Sequence, residues 1–182
     1  MHKYKIIMKQ KRQKVYTFID SQNLNYGTCK NIETKKGKII YKGWKLDFKK
    51  FRVYLNDKFR VKKAFIFIGY MKENAYLYRS LKKYGYELVF KPTVKDSSGK
   101  LKGNIDAELV LHAAAIEYQK YDKAVIVSGD GDFYCLHKYL KNKSKLLKII
   151  IPNKKSQSSL LKEFENYKVF IEYQRDRLGY KK

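Results

Sequence analysis

Ala124-Val125-Ile126-Val127-Ser128-Gly129-Asp130-Gly131-Asp132-Phe133 passes from an unbroken apolar run into a turn carrying two glycines and two carboxylates. Such a run, short and partly β-branched, reads as a strand buried on both faces, and the turn after it opens a helix expected from about Phe133 to Leu140. The pattern recurs outward from there. Val15–Ile19 is closed by Asp20, Ala64–Ile68 by Gly69, Tyr86–Phe90 by Pro92 and Leu147–Ile151 by Pro152. Helices are expected between these runs. Phe48, Phe51, Leu55 and Phe59 recur at helical spacing, and a helix capped by Asn74 runs to about Tyr84, with Gly85 as its stop. A third runs from Asp106 to about Tyr118, with Leu109, Ala113, Ala114 and Ile116 on one apolar face. Ser158–Phe164 reads as a last short helix, Val169–Ile171 as an edge strand, and 26–46 and 95–100 as loops. Alternating strands and helices imply an α/β domain, a parallel sheet with helices on both faces.

At 182 residues the chain suits one domain. A basic N-terminal arm is expected over 1–14, the domain over 15–172 and a basic tail over 173–182. No run approaches a membrane span, and the basic N-terminus lacks the apolar stretch of a secretory signal. Cys29 and Cys135 stand far apart in no metal-ligand spacing, which fits a reducing, cytoplasmic setting. The net charge of +25 points to a polyanionic partner. An AT-rich genome would supply lysine codons, but it leaves the shortage of Asp and Glu unexplained. Lysines far outnumber arginines, which favours loose phosphate contacts over base reading.

In an open parallel sheet, ligands bind beyond the carboxyl ends of the strands, where the strand order reverses. With the strands in the order 3-2-1-4-5, Asp20 after strand one and Asp130 and Asp132 after strand four flank that point. Asp106 opens its helix at the same edge. Each has an ordinary alternative, since Asp20, Asp106 and Asp132 all stand where a helix cap would. Together they make a cluster of like charges that a divalent cation would relieve. An all-oxygen donor set suits Mg²⁺ or Mn²⁺ over zinc, and such an ion supports phosphodiester hydrolysis without a protein nucleophile. Glu108 is expected on the helix flank, and His112 as a packed or surface residue.

With those residues placed, the chain resembles the NYN branch of the PIN-like nuclease superfamily, including its bacterial members. The resemblance rests on Phe18-Ile19-Asp20-Ser21-Gln22-Asn23-Leu24, Lys102-Gly103-Asn104-Ile105-Asp106 and Val127-Ser128-Gly129-Asp130-Gly131-Asp132-Phe133. It implies a PIN-like three-layer sandwich with a central parallel sheet in the order 3-2-1-4-5, and metal-dependent ribonuclease activity. Asp20, Asp106, Asp130 and Asp132 match the family's acidic positions, Asn23 its asparagine and Ser128 its Ser/Thr beside the metal. Ser21 stands where glycine is common, and His112 where many members carry another Asp.

RNA, read with little sequence specificity, is the expected partner, guided by Lys91, Lys95, Lys100 and Lys102 and by Lys138, Lys141 and Lys143. A membrane is not expected, and neither a protein partner nor a homodimer is signalled. The alternative is a non-catalytic RNA-binding module of the same fold, some of the seventeen tyrosines serving as stacking platforms. A phosphotransferase of the haloacid dehalogenase type needs Asp-x-Asp after strand one, where this chain has Asp20 and Gln22.

Overall fold

The computed structural model describes residues 13–91, 94–95, 101–102 and 105–181. In chain order the strands are β1 (Val15–Asp20), β2 (Ile32–Glu33), β3 (Ile39–Tyr41), β4 (Val61–Gly69), β5 (Tyr86–Lys91), β6 (Val94–Lys95), β7 (Leu101–Lys102), β8 (Lys123–Val127), β9 (Leu146–Ile151) and β10 (Lys168–Phe170). The α-helices are α1 (Ser21–Cys29), α2 (Phe48–Phe59), α3 (Ala75–Lys83), α4 (Ile105–Leu111), α5 (Tyr134–Asn142) and α6 (Arg175–Leu178). Six strands form one parallel sheet in the order β10-β9-β8-β1-β4-β5. Numbered by the five expected strands, this is 3-2-1-4-5 with one further strand at the edge beyond the fifth. The reversal lies at β1, which pairs with β4 on one side and β8 on the other.

Both faces of the sheet are covered, as runs without polar alternation require. On one face Ile19, Ile66, Val125 and Ile150 pack with Leu24, Phe51, Leu55, Leu81 and Leu178. On the other, Phe18, Phe67, Ile126 and Ile149 pack with Leu109, Leu136, Leu140 and Phe164. Burying each of these side chains contributes about 1.5–3 kcal/mol. Phe18 lies parallel to Phe65 across β1 and β4, with ring centroids 5.5 Å apart.

Several local features depart from expectation. Residues 26–46, expected as a loop, hold the end of α1 and the β2–β3 hairpin. α1 lacks an apolar stripe, burying only Leu24 and Thr28, and its start is set by the Asp20 cap. Segment 95–100, also expected as a loop, is bracketed by the β6–β7 hairpin, where Lys95 pairs with Leu101; 96–100 lie outside the described residues. Asn74 precedes α3 without a side-chain cap bond, whereas Gly85 follows it at φ +85°. The helix expected to reach Tyr118 loosens after Leu111 into a π turn over His112–Ile116, where Glu117 N–H donates to His112 O (2.9 Å). That wider turn rotates the residues after it, leaving Ile116 exposed while Leu109 and Ala113 stay buried. Segment 173–182, expected as a basic tail, includes α6, whose Leu178 is buried in the core. The arm expected over 1–14 falls mostly outside the described residues. Among the described residues no helix is long and apolar enough to cross a membrane.

Candidate active site

β1 and β8 run side by side with Ile19 opposite Val127, so Asp20 and Ser128 leave the sheet together. Asp20 is almost fully buried, and both its oxygens are engaged. Oδ1 accepts from the N–H groups of Gln22 and Asn23, each at 3.0 Å, and so caps α1. Oδ2 accepts from Ser128 Oγ at 3.3 Å. Ser128 Oγ in turn accepts from Asp130 N–H (3.1 Å), and Asp130 Oδ1 accepts from Asp132 N–H (3.0 Å). Asn23 closes the circuit, its Oδ1 accepting from Gly129 N–H at 2.8 Å. The helix-cap reading of Asp20 therefore holds beside its place in the site. At the turn after β8 it is Asp130, not Asp132, that caps.

Glycine is needed in this turn for space. A Cβ on Gly131 would lie 2.4 Å from Ser158 Oγ. Ser158 N–H donates to Gly129 O (2.9 Å), so the segment after β9 is tied to the acidic turn.

Asp20, Asp106 and Asp130 line one cleft of about 440 Å³, together with Asn23 and Lys91. Burial pushes the Asp20 carboxyl up, its helix-capping bonds oppose the rise, and the Asp106 charge adds to it. Asp106 is also pushed up, first by burial and then by Asp130 and Asp132, with Lys91 pulling the other way. Asp132 is exposed and not part of the cleft lining, so it acts there through its charge. Ser128 lies buried beneath Asp20. Among the described residues no three His, Cys, Asp or Glu side chains are gathered into a ready metal cage. The donors are nonetheless all oxygen, and neighbouring carboxylates push Asp20 and Asp106 up, a combination that fits a hard divalent ion. Mg²⁺ keeps several waters and needs only one or two carboxylates, so a closed cage is not required.

The candidate lysines separate. Lys91 lines the cleft. The backbones of Lys95 and Lys102 lie on β6 and β7, and Lys100 falls outside the described residues. Lys138, Lys141 and Lys143 are exposed, but α5 leads away from the acidic turn toward the start of β9. Lys143 comes after its last turn, about 13 Å along the helix axis. Glu108 and His112 face each other at 3.9 Å, and the His112 ring packs edge-on against Phe67 (5.3 Å).

Sequence reading missed the rest of the cleft lining. Gln22, Tyr26 and Lys30 line the cleft from α1 and the residue after it, and Asn153 and Ser156 line it from the segment after β9. The i, i+4, i+8 spacing of the first three was the available signal, hidden because α1 has no apolar stripe to announce a helix.

The fold is similar to that of a protein of unknown function from Vibrio parahaemolyticus. The two share 21% identity over 96% of this chain and 100% of that one, with a TM-score of 0.73. No curated protein matches the chain. A family model described as the NYN domain matches residues 14–172, taking in β1, the acidic turn and every strand of the main sheet. The chain therefore belongs to the NYN domain family and has a PIN-like nuclease fold.

Proposed function

We propose that this chain is a ribonuclease, hydrolysing RNA phosphodiester bonds at Asp20, Asp106, Asp130 and Asp132 with Mg²⁺ or Mn²⁺. The observation that carries the proposal is the convergence of Asp20, Asp106 and Asp130 on one cleft from β1, α4 and the turn after β8. A bound divalent ion, held by these carboxylates, would offset the phosphate charge and make water a better nucleophile at neutral pH. The chain's own residues set the geometry. Asp20 is fixed through both oxygens, and Ser128 and Asn23 lock the Asp130 turn against it. Lys91, one of the two lysines in the lining, would take a phosphate oxygen. In the reaction, a water gives up a proton to solvent as its oxygen bonds to phosphorus, the bond to the leaving ribose oxygen breaks, and that oxygen takes up a proton from solvent.

Family membership supports a nuclease, and the charge of +25 supports a polyanionic substrate. The exposed, unpaired Cys29 and Cys135 agree with action in the cytosol. A non-catalytic RNA-binding module is the second reading, favoured by the open arrangement of the acids. Incubating the protein with labelled single-stranded RNA, with and without Mn²⁺ or Mg²⁺, separates the two. Metal-dependent cleavage lost in Asp20→Asn supports the enzyme. Binding without cleavage supports the module.

A further inference from the structure

We propose that α1 forms a nucleoside subsite in the same cleft. There Tyr26 stacks an unpaired base of single-stranded RNA, and Lys30 holds the next phosphate. The proposal rests on the ribonuclease reading and names the form of RNA the cleft accepts. Gln22 and Tyr26 on one face of α1, and Lys30 directly after its end, all line the cleft and form one wall of it. Asp20 caps the start of that helix, so the wall begins at the acids. At about 1.5 Å per residue, Tyr26 lies roughly 9 Å and Lys30 roughly 15 Å further along.

Tyr26 is 47% exposed although it lines a concave surface, so its ring is open to a partner. Lys30 Nζ sits 3.9 Å from the ring centroid. That cation–π contact puts a positive charge over one face of the ring, close to any base that stacks on the other. Base and phosphate alternate along a strand as ring and ammonium do here. Every base has a π face, so such a platform is tolerant of sequence. A paired base is stacked within its duplex and cannot reach the ring, so the wall selects single strands.

The part of the lining that follows β9 adds an independent sign of a missing partner. Asn153 is fully buried and lines the cleft; its Oδ1 accepts from Lys155 N–H (2.8 Å), while its Nδ2 has no hydrogen-bond partner. Buried donors are rarely left unpaired, and an occupant rich in oxygen acceptors would satisfy this one with a small side-chain shift. The two walls are held together closely. A Cβ on Gly27 would lie 2.6 Å from Pro152 Cβ, so glycine sets the approach of α1 to the segment that carries Asn153.

The test uses the full chain carrying Asp20→Asn, which prevents cleavage, and a short single-stranded RNA. Adding Tyr26→Ala should weaken binding roughly five- to 150-fold, the range for one lost base–aromatic stack. Tyr26→Phe, which keeps the ring, should bind normally. Lys30→Gln should make the log–log salt dependence shallower by about 0.7, one phosphate on a single strand. Tyr173→Ala, at an exposed tyrosine outside the cleft, is the control. An abasic nucleotide walked along the RNA tests the same contact without altering Tyr26. One position should weaken binding to the Tyr26 protein and have no further effect with Tyr26→Ala. RNA bound equally well by the Tyr26 and Tyr26→Ala proteins, with no abasic position sensitive to the change, would overturn the subsite and leave the ribonuclease reading standing. Failure of the protein to bind or cleave any RNA would remove both.

Discussion

Asn23→Ala tests whether the acidic turn is held in place by one side chain from α1. Asn23 Oδ1 accepts from the partly buried Gly129 N–H at 2.8 Å, joining residues 106 apart in sequence. Removing the acceptor orphans that N–H, which costs about 1–3 kcal/mol. Alanine's better helix propensity returns up to about 0.7 kcal/mol inside α1. The net loss is about 0.3–3 kcal/mol, a fall in Tm of roughly 1–12 °C for a domain of this size. The larger effect should fall on chemistry. Gly129 sits between Ser128 and Asp130, and a displacement of about 1 Å in a catalytic carboxylate can cost about 100-fold in rate. Metal-dependent cleavage of a single-stranded RNA should therefore drop tenfold or more in kcat. Asn23→Asp keeps the acceptor and should melt near the wild type, but its added charge beside Asp20 should weaken RNA binding. Thermal denaturation and steady-state kinetics on both variants make the check. If Asn23→Ala melted and turned over like the wild type, the bridge would not be what positions Asp130.

Asp20→Asn should abolish cleavage and leave Tm equal or higher, because asparagine can still cap α1 while a buried charge is removed; a lower Tm would show that the carboxylate serves the fold. Millimolar Mg²⁺ or Mn²⁺ should raise the wild-type Tm by mass action, by about 2.7 kcal/mol of stability at a hundred times Kd, and should leave Asp20→Asn almost unmoved. His137 is fully buried against Phe164 with neither ring nitrogen bonded, and burial lowers its pKa from 6.5 to about 4. As pH falls through that window the unfolded state takes up the proton first. Stability should thus be complete above about pH 6.5, fall by about 3 kcal/mol on the way to pH 4, and level off below it. His137→Leu should remove that loss, and equal pH dependence of Tm in the two proteins would refute a neutral buried imidazole. Lys91→Gln should weaken RNA binding across unrelated sequences and make its salt slope shallower by about 0.7; an unchanged slope would move the phosphate path away from the cleft.

The strands of the main sheet were legible because a strand buried on both faces must be apolar throughout, and Val15–Ile19, Ala64–Ile68 and Ala124–Val127 declare this without reference to the rest of the chain. The turn Ser128-Gly129-Asp130-Gly131-Asp132 was equally plain, since two acids and two glycines directly after such a strand mark a place where ligand and backbone come close. Residue order therefore sufficed for the strands and for the turn that carries Asp130 and Asp132, whereas the order 3-2-1-4-5 came with the family resemblance and is set by the pairing of β1 with β4 and β8. Residue order did not suffice for α1, whose residues carry no apolar stripe and whose wall of Gln22, Tyr26 and Lys30 becomes visible only once Asp20 caps the helix. Nor could it show that α5 carries Lys141 and Lys143 away from the acidic turn, or that Asn153 meets the cleft from beyond β9. Those relations depend on which strands are neighbours and on the direction each helix takes from the sheet. Long-range contacts decide both, and the pattern within any one segment is silent about them.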